Sequence, residues 1–186
     1  MDARNPRSVR AMHRSNNKGF TILELLIVIV VIGILAGLVI TGFRGIQEKA
    51  KVSSAKEELA RVQTAVELLA VDTGKLPNGC PRYGNNDPEV EIEQENAGLT
   101  TIPQVGVTGA GCEWEALDIV RWKGPYLGKD AVLDPWGNSY NFDPDYYLKP
   151  ECNNGEPERH FAAVQSNGKD ENFYTCDDVY RIVFEE

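Results

Sequence analysis

Residues 20–43, FTILELLIVIVVIGILAGLVITGF, carry one acidic side chain, Glu24, in an otherwise apolar run. From Leu25 to Ile40 no side chain is charged or able to hydrogen-bond. As a helix rising ~1.5 Å per residue, this stretch reaches ~36 Å, enough to cross a hydrocarbon layer of ~30 Å. A chain containing it must place that helix in a bilayer or against other helices. The preceding residues carry Arg4, Arg7, Arg10, Arg14 and Lys18 against one acid, Asp2, a bias that keeps this end in the cytoplasm. A cleaved secretory signal has a shorter apolar core and is cut after it, not before it. A plain signal anchor leaves Glu24 unexplained. A carboxylate in a membrane segment costs roughly 2.5–3.5 kcal/mol, which makes it a functional candidate, although near a helix end it can also snorkel to the interface.

Beyond the first 19 residues the chain holds 14 of its 19 basic and 27 of its 28 acidic side chains, a net charge of −13. Such a surface disfavours nucleic acid, whose phosphates need Lys and Arg. It suits cation binding or simple solvation.

After Phe43 the helix is predicted to continue to about Thr73. Val52, Ala55, Leu59, Val62, Val66 and Leu69 recur at spacings of three and four, one apolar stripe on one face. Glu48, Lys49, Lys51, Lys56, Glu57, Glu58, Arg61 and Glu67 occupy the other faces. Gly74 and Pro77 end it. A single helix from Thr21 to Thr73 would be ~80 Å long, too long for an ordinary globular domain, so its first half is expected to leave the domain. Residues 77–113 are rich in Gly, Asn, Pro and acids and read as a long variable surface loop. "WEALDIVRW" reads as a short helix. "DPWGN" is a turn, since Pro135 fixes its own φ and Gly137-Asn138 tolerate positive φ. "SYNF", "HFAAV" and "VYRIVF" read as short strands, giving a three- or four-stranded antiparallel sheet against the long helix. The fold class is therefore α+β.

Four cysteines, Cys80, Cys112, Cys152 and Cys176, all follow the apolar run, and none forms C-x-x-C. Zinc ligands usually come in close pairs, so two disulfides in an oxidising compartment are the better reading, with four reduced buried thiols as the bland one. Three pairings are open. The sequential one, Cys80–Cys112 and Cys152–Cys176, closes the shortest loops, each worth ~3–4 kcal/mol on the chain-entropy model. For catalysis there is little material. His13 lies in the basic leader, and His160, between Arg159 and Phe161, reads as a strand residue; no Ser/His/Asp or Cys/His arrangement can be assembled, and no enzyme is expected.

"KGFTILELLIVIVVIGILAGLV" resembles the N-terminus of type IV pilin-like precursors, the pilins and the pseudopilins of type II secretion. The family pattern is a basic leader ending in Gly, an aromatic residue, an acid four residues on, and an unbroken apolar helix. Gly19, Phe20 and Glu24 match it. The resemblance implies a pilin-like fold and cleavage by a prepilin peptidase between Gly19 and Phe20, with N-methylation of Phe20. It divides the chain into a leader at 1–19, a transmembrane and filament-core helix at 20–43, and a periplasmic domain at 44–186 containing the variable loop at about 77–113. The new amine of Phe20 then needs a partner inside a filament, and Glu24 of a neighbouring subunit can supply it.

The end of the chain narrows the family. "DPWGN", then Ser166-x-Gly168-x-Asp170, then Asp177-Asp178-Val179, resembles the major pseudopilin of type II secretion systems, whose loop here is known for calcium. Carried over, Asp170, Asp177 and Asp178 are side-chain ligands, with the main-chain oxygens of Asn167 and Thr175 completing the shell. Calcium prefers six to eight oxygens and a flexible, carboxylate-bearing loop can wrap it. The loop is no EF-hand, lacking Gly at the sixth and Glu at the twelfth position from Asp170. Glu171 stands where the family usually has Gly, and Cys176 lies inside the loop, so a solvated turn braced by Cys152–Cys176 is the competing reading. The resemblance covers about the first 55 and about the last 60 residues. It implies a filament subunit of the bacterial inner membrane, single-pass, self-associating and working with minor pseudopilins and an inner-membrane secretion platform. A type IV pilin of a surface fibre for adhesion, motility or DNA uptake is the second reading, and a membrane-anchored binding domain the third.

Overall fold

The computed structural model describes residues 19–82, 89–107, 112–128 and 133–184, with only the backbone of 38–42, 44 and 107. Residues 1–18 of the expected leader at 1–19 lie outside the described residues. The elements are α1 (Ile22–Thr73), β1 (Val90–Glu91), β2 (Gly106–Val107), β3 (Glu113–Trp114), α2 (Ala116–Arg121), β4 (Asn141–Leu148), β5 (Arg159–Ser166) and β6 (Val179–Phe184). An N-terminal helix followed by a small antiparallel sheet is the α+β, pilin-like arrangement. The chain divides into two compact units, Met1–Arg44 and Gly45–Glu186.

In the first unit every large apolar side chain from Ile22 to Leu35 is at least 47% exposed. Among the described residues no helix is long and apolar enough to cross a membrane. The expected membrane segment at 20–43 includes the side chains of 38–42, which lie outside the described residues.

In the second unit the sheet has the order β1-β4-β5-β6, all antiparallel. The apolar stripe of α1 is its core face: Ala55, Leu59, Val62, Val66 and Leu69 are fully buried, with Val52 partly so. They pack on Phe142, Ala162, Val164, Val179 and Val183 of the sheet. Fully burying one such side chain stabilises by roughly 1.5–3 kcal/mol, so this contact outweighs any helix propensity in holding α1. Gly74 stops the helix in a left-handed conformation, φ 79°, and its amide donates to the Ala70 carbonyl.

Two expectations need correction. Residues 77–113 are not simply a surface loop. Ile92, Ala97 and Leu99 are fully buried, and β1 adds an edge strand to the sheet. A segment that buries single residues between irregular turns shows no period for a sequence pattern to detect. The first strand also continues past "SYNF" through Pro144. The β4–β5 register shifts between Asp143 and Tyr146, so a bulge takes up the residue that cannot donate. That bulge keeps Asp143 and Tyr146 on the same face, away from α1. There Tyr146, Leu148, Phe161 and Ala163 form a second cluster, with Cys152, Tyr174, Tyr180 and Ile182 against it.

Candidate functional site

Two motifs separated by some thirty residues lock together to form the base of the acidic loop. In DPWGN, buried Asp134 accepts the amides of Trp136 (2.9 Å) and Asn138 (2.8 Å) on Oδ1. Its Oδ2 accepts the Ser166 hydroxyl at 2.5 Å. Ser166 Oγ in turn accepts the Gly168 amide, and Asn138 Nδ2 donates to the Gly168 carbonyl. The Trp136 indole donates to Glu48 of α1 at 3.1 Å. Gly168 has φ 65°, and a Cβ there would meet the Asp177 carbonyl oxygen at 2.5 Å. The glycine of Ser-x-Gly-x-Asp is therefore what lets the loop's return strand pass so close.

The loop itself converges on one hydroxyl. Thr175 Oγ1 lies 2.7 Å from Asp177 Oδ1, 3.1 Å from Asp178 Oδ1 and 3.3 Å from Asp170 Oδ1. A hydroxyl has one proton to give, so it cannot satisfy three carboxylate oxygens. The buried Oδ1 of Asn167 has no hydrogen-bond donor among the described residues. This donor set, hard oxygens in excess of protons, is what calcium takes. Among the described residues no three His, Cys, Asp or Glu side chains are already gathered as a metal site. The carboxylates are instead held by protein donors. Asp177 Oδ2 accepts the amides of Lys169 and Asp170, and Asp178 Oδ2 accepts the Tyr146 hydroxyl and the Thr175 amide. Partial desolvation raises Asp177, but its bonds from Thr175 and the loop amides outweigh that and hold its carboxyl below the usual range. Burial raises Asp178, only partly offset by bonds from Thr175 and Tyr146. The Thr175 carbonyl accepts the Asp178 amide, while its hydroxyl faces the carboxylates. Glu171 has φ 62°, a conformation that glycine adopts freely, which accounts physically for the family's glycine at this position.

The structure joins Cys80 to Cys112 and Cys152 to Cys176. Tyr174 ties the loop to the sheet, its hydroxyl 3.2 Å from Asp143 Oδ2 and 2.9 Å from Glu89 Oε1. Asp143 is fully buried, and nothing in the sequence pattern singled it out. Burial, with the charges of Glu89 and Asp145 adding to it, pushes its carboxyl up to about 7 against the opposing bonds from the Asp145 amide and Tyr174. Its folded value lies above the unfolded 3.8, so its contribution to stability is complete below pH 3.8 and is lost as pH rises through about 7. Thermal melts in chelator should therefore show the wild type losing stability between about pH 4 and 7, and Asp143→Asn flattening that part of the profile. Parallel profiles would remove Asp143 as the source.

At the other end, Gly19 and Phe20 are exposed and open the described chain. Thr21 and Glu24 form a capping box: Thr21 N donates to Glu24 Oε2 at 2.9 Å, and Glu24 N donates to Thr21 Oγ1 at 3.2 Å. The signal for it in the sequence is Thr-x-x-Glu ahead of an apolar run.

Residues 14–40 match the prokaryotic N-terminal methylation motif. The chain is 33% identical over 134 residues to the type II secretion system core protein G of Klebsiella michiganensis, with 69% of this chain and 75% of that one covered. To the protein of the same name from Aeromonas hydrophila it is 35% identical over 135 residues, 69% of this chain and 74% of the other. The chain belongs to the type II secretion core protein G family, the major pseudopilins. It is also 34% identical over 103 residues to the type IV major pilin protein PilA of Myxococcus xanthus, with 49% of this chain and 47% of that protein covered. No solved structure matches it.

Proposed function

We propose that this chain is the structural subunit of a type II secretion pseudopilus, anchored in the bacterial inner membrane with its second unit in the periplasm, and that it is not an enzyme. The observation that carries this reading is the similarity to core protein G over about three quarters of the relatives' length. The exposed apolar side chains from Ile22 to Leu35 support it, since such a helix needs lipid or neighbouring helices around it. A prepilin peptidase cuts between Gly19 and Phe20 and methylates Phe20. The apolar helix then passes from the bilayer into a homopolymer that works with minor pseudopilins and the inner-membrane platform to move folded proteins outward. In this reading Asp170, Asp177 and Asp178 hold calcium, with oxygens of Asn167 and Thr175 nearby. The ion supplies the positive charge that the Thr175 proton cannot. The similarity to PilA favours a surface pilin as the second reading, over a shorter match.

Intact-mass measurement and N-terminal sequencing of membrane-extracted protein should give a chain starting at N-methyl-Phe20. An uncut leader in peptidase-competent cells would refute the processing step. Deleting the gene should abolish protein export and leave surface fibres; the opposite pattern would select the pilin reading.

A further inference from the structure

We propose that the Cys152–Cys176 disulfide positions the acidic loop for its cation, so that oxidation of this pair and cation binding strengthen one another. The inference rests on the calcium reading above and concerns residues that reading does not use. Cys176 immediately precedes Asp177 and Asp178, two of the three carboxylates that meet on Thr175. Cys152 closes a 3-10 turn, Pro150–Cys152, just after β4, and packs on the Tyr146, Leu148 and Phe161 cluster. The bridge thus ties the loop covalently to the sheet's outer face beside the carboxylates. The remaining ties are weaker. They include the hydrogen bond from Tyr146 to Asp178, the bonds of Tyr174 to Asp143 and Glu89, and ring packing of Tyr174 on Tyr146 with centroids 5.7 Å apart.

The loop also opposes its own shape. Glu171 and Tyr174 both have left-handed φ, 62° and 60°. Three carboxylates drawn to one hydroxyl repel one another. An uncrosslinked loop can relieve both by spreading, and a cation must then gather it again. The disulfide removes those spread conformations in advance, which is preorganisation of the ligand set. Linkage makes the effect reciprocal: the factor by which the disulfide tightens cation binding is the factor by which the cation protects the disulfide from reduction.

The test uses the full-length protein in detergent micelles. Calcium titration by calorimetry should give a dissociation constant about tenfold larger for Cys152→Ser/Cys176→Ser than for the oxidised wild type, within the usual range of such couplings. A second measurement needs no variant. The wild type is equilibrated with mixtures of dithiothreitol and its cyclic disulfide, and thiols are mapped by alkylation and mass. Each reduction gives Cys152 and Cys176 two electrons and two protons while dithiothreitol closes to its disulfide. With calcium in place of chelator, half-reduction of Cys152–Cys176 should need about tenfold more dithiothreitol relative to its oxidised form. Cys80–Cys112 should not shift. If the oxidised wild type binds no calcium, the calcium reading falls and this proposal with it. If wild type and variant bind equally, or the reduction midpoint is the same in calcium and chelator, the proposal is overturned while the calcium reading stands.

Discussion

Replacing Glu24 with glutamine should abolish filament assembly while leaving the helix start and the second unit intact. In the structure Glu24 serves its own chain through one oxygen: Oε2 accepts the Thr21 amide at 2.9 Å and the Thr21 hydroxyl at 3.0 Å. Glutamine fills the same position in a capping box, so the cap survives the substitution. What glutamine lacks is the negative charge. If the methylated amine of Phe20 is buried among packed helices, it needs that charge, and an uncompensated buried cation costs about 3–5 kcal/mol. Each subunit added to the filament meets this cost, so assembled filament should fall by at least about a hundredfold. Glu24→Ala should look the same in assembly and lose the capping bond to the Thr21 amide in addition. The measurement is the yield of sheared filaments beside the amount of processed, membrane-extracted subunit. Wild-type yield from Glu24→Gln, with failure of Glu24→Ala, would assign Glu24 to the cap and remove the charge role.

What could be read from the sequence followed from the length over which a pattern repeats. The α1 stripe repeats for five turns, so its core face is legible in the sequence, and Ala55 through Leu69 lie where the spacing puts them. Ser166-x-Gly168-x-Asp170 and DPWGN could be seen as motifs, but not that Asp134 and Ser166 bond to each other, because that pairing depends on where β4 and β5 place two distant turns. Ile92, Ala97 and Leu99 were missed for the opposite reason: each is buried alone, from a segment with no period. Asp143 was invisible as a buried acid, since it lies just past the expected strand "SYNF". Only the bulge that brings Asp143 and Tyr146 to one face reveals it. The acidic loop fell between these cases: its carboxylates were found as a set, while the hydroxyl on which they converge, and the glycine-like backbone of Glu171, required the fold.

Calcium should raise the melting temperature of the oxidised full-length protein in detergent, relative to chelator, by about 5–10 °C. The figure combines ~2.7 kcal/mol at a hundredfold excess over the dissociation constant with ~2–4 °C per kcal/mol for a domain of this size. Asp170→Ala is the clean test. Asp170 is exposed, and among the described residues its Oδ1 accepts only the Asn172 amide, at 2.9 Å, besides facing Thr175. Its loss should therefore leave the melt in chelator nearly unchanged, because exposed hydrogen bonds contribute little. It should nevertheless erase the calcium increment, because the loop would keep two of its three carboxylates. Asp177→Ala should differ in kind. Asp177 also accepts the amides of Lys169 and Asp170 and bonds Thr175, so its removal takes away several bonds at once and should lower the melting temperature in chelator too. One substitution thus removes a ligand alone and the other removes a ligand and a brace. If calcium leaves the wild-type melt unchanged while Asp177→Ala still destabilises, the three aspartates are a hydrogen-bonded brace, and the loop is held by Tyr146, Tyr174 and Cys152–Cys176 without a cation.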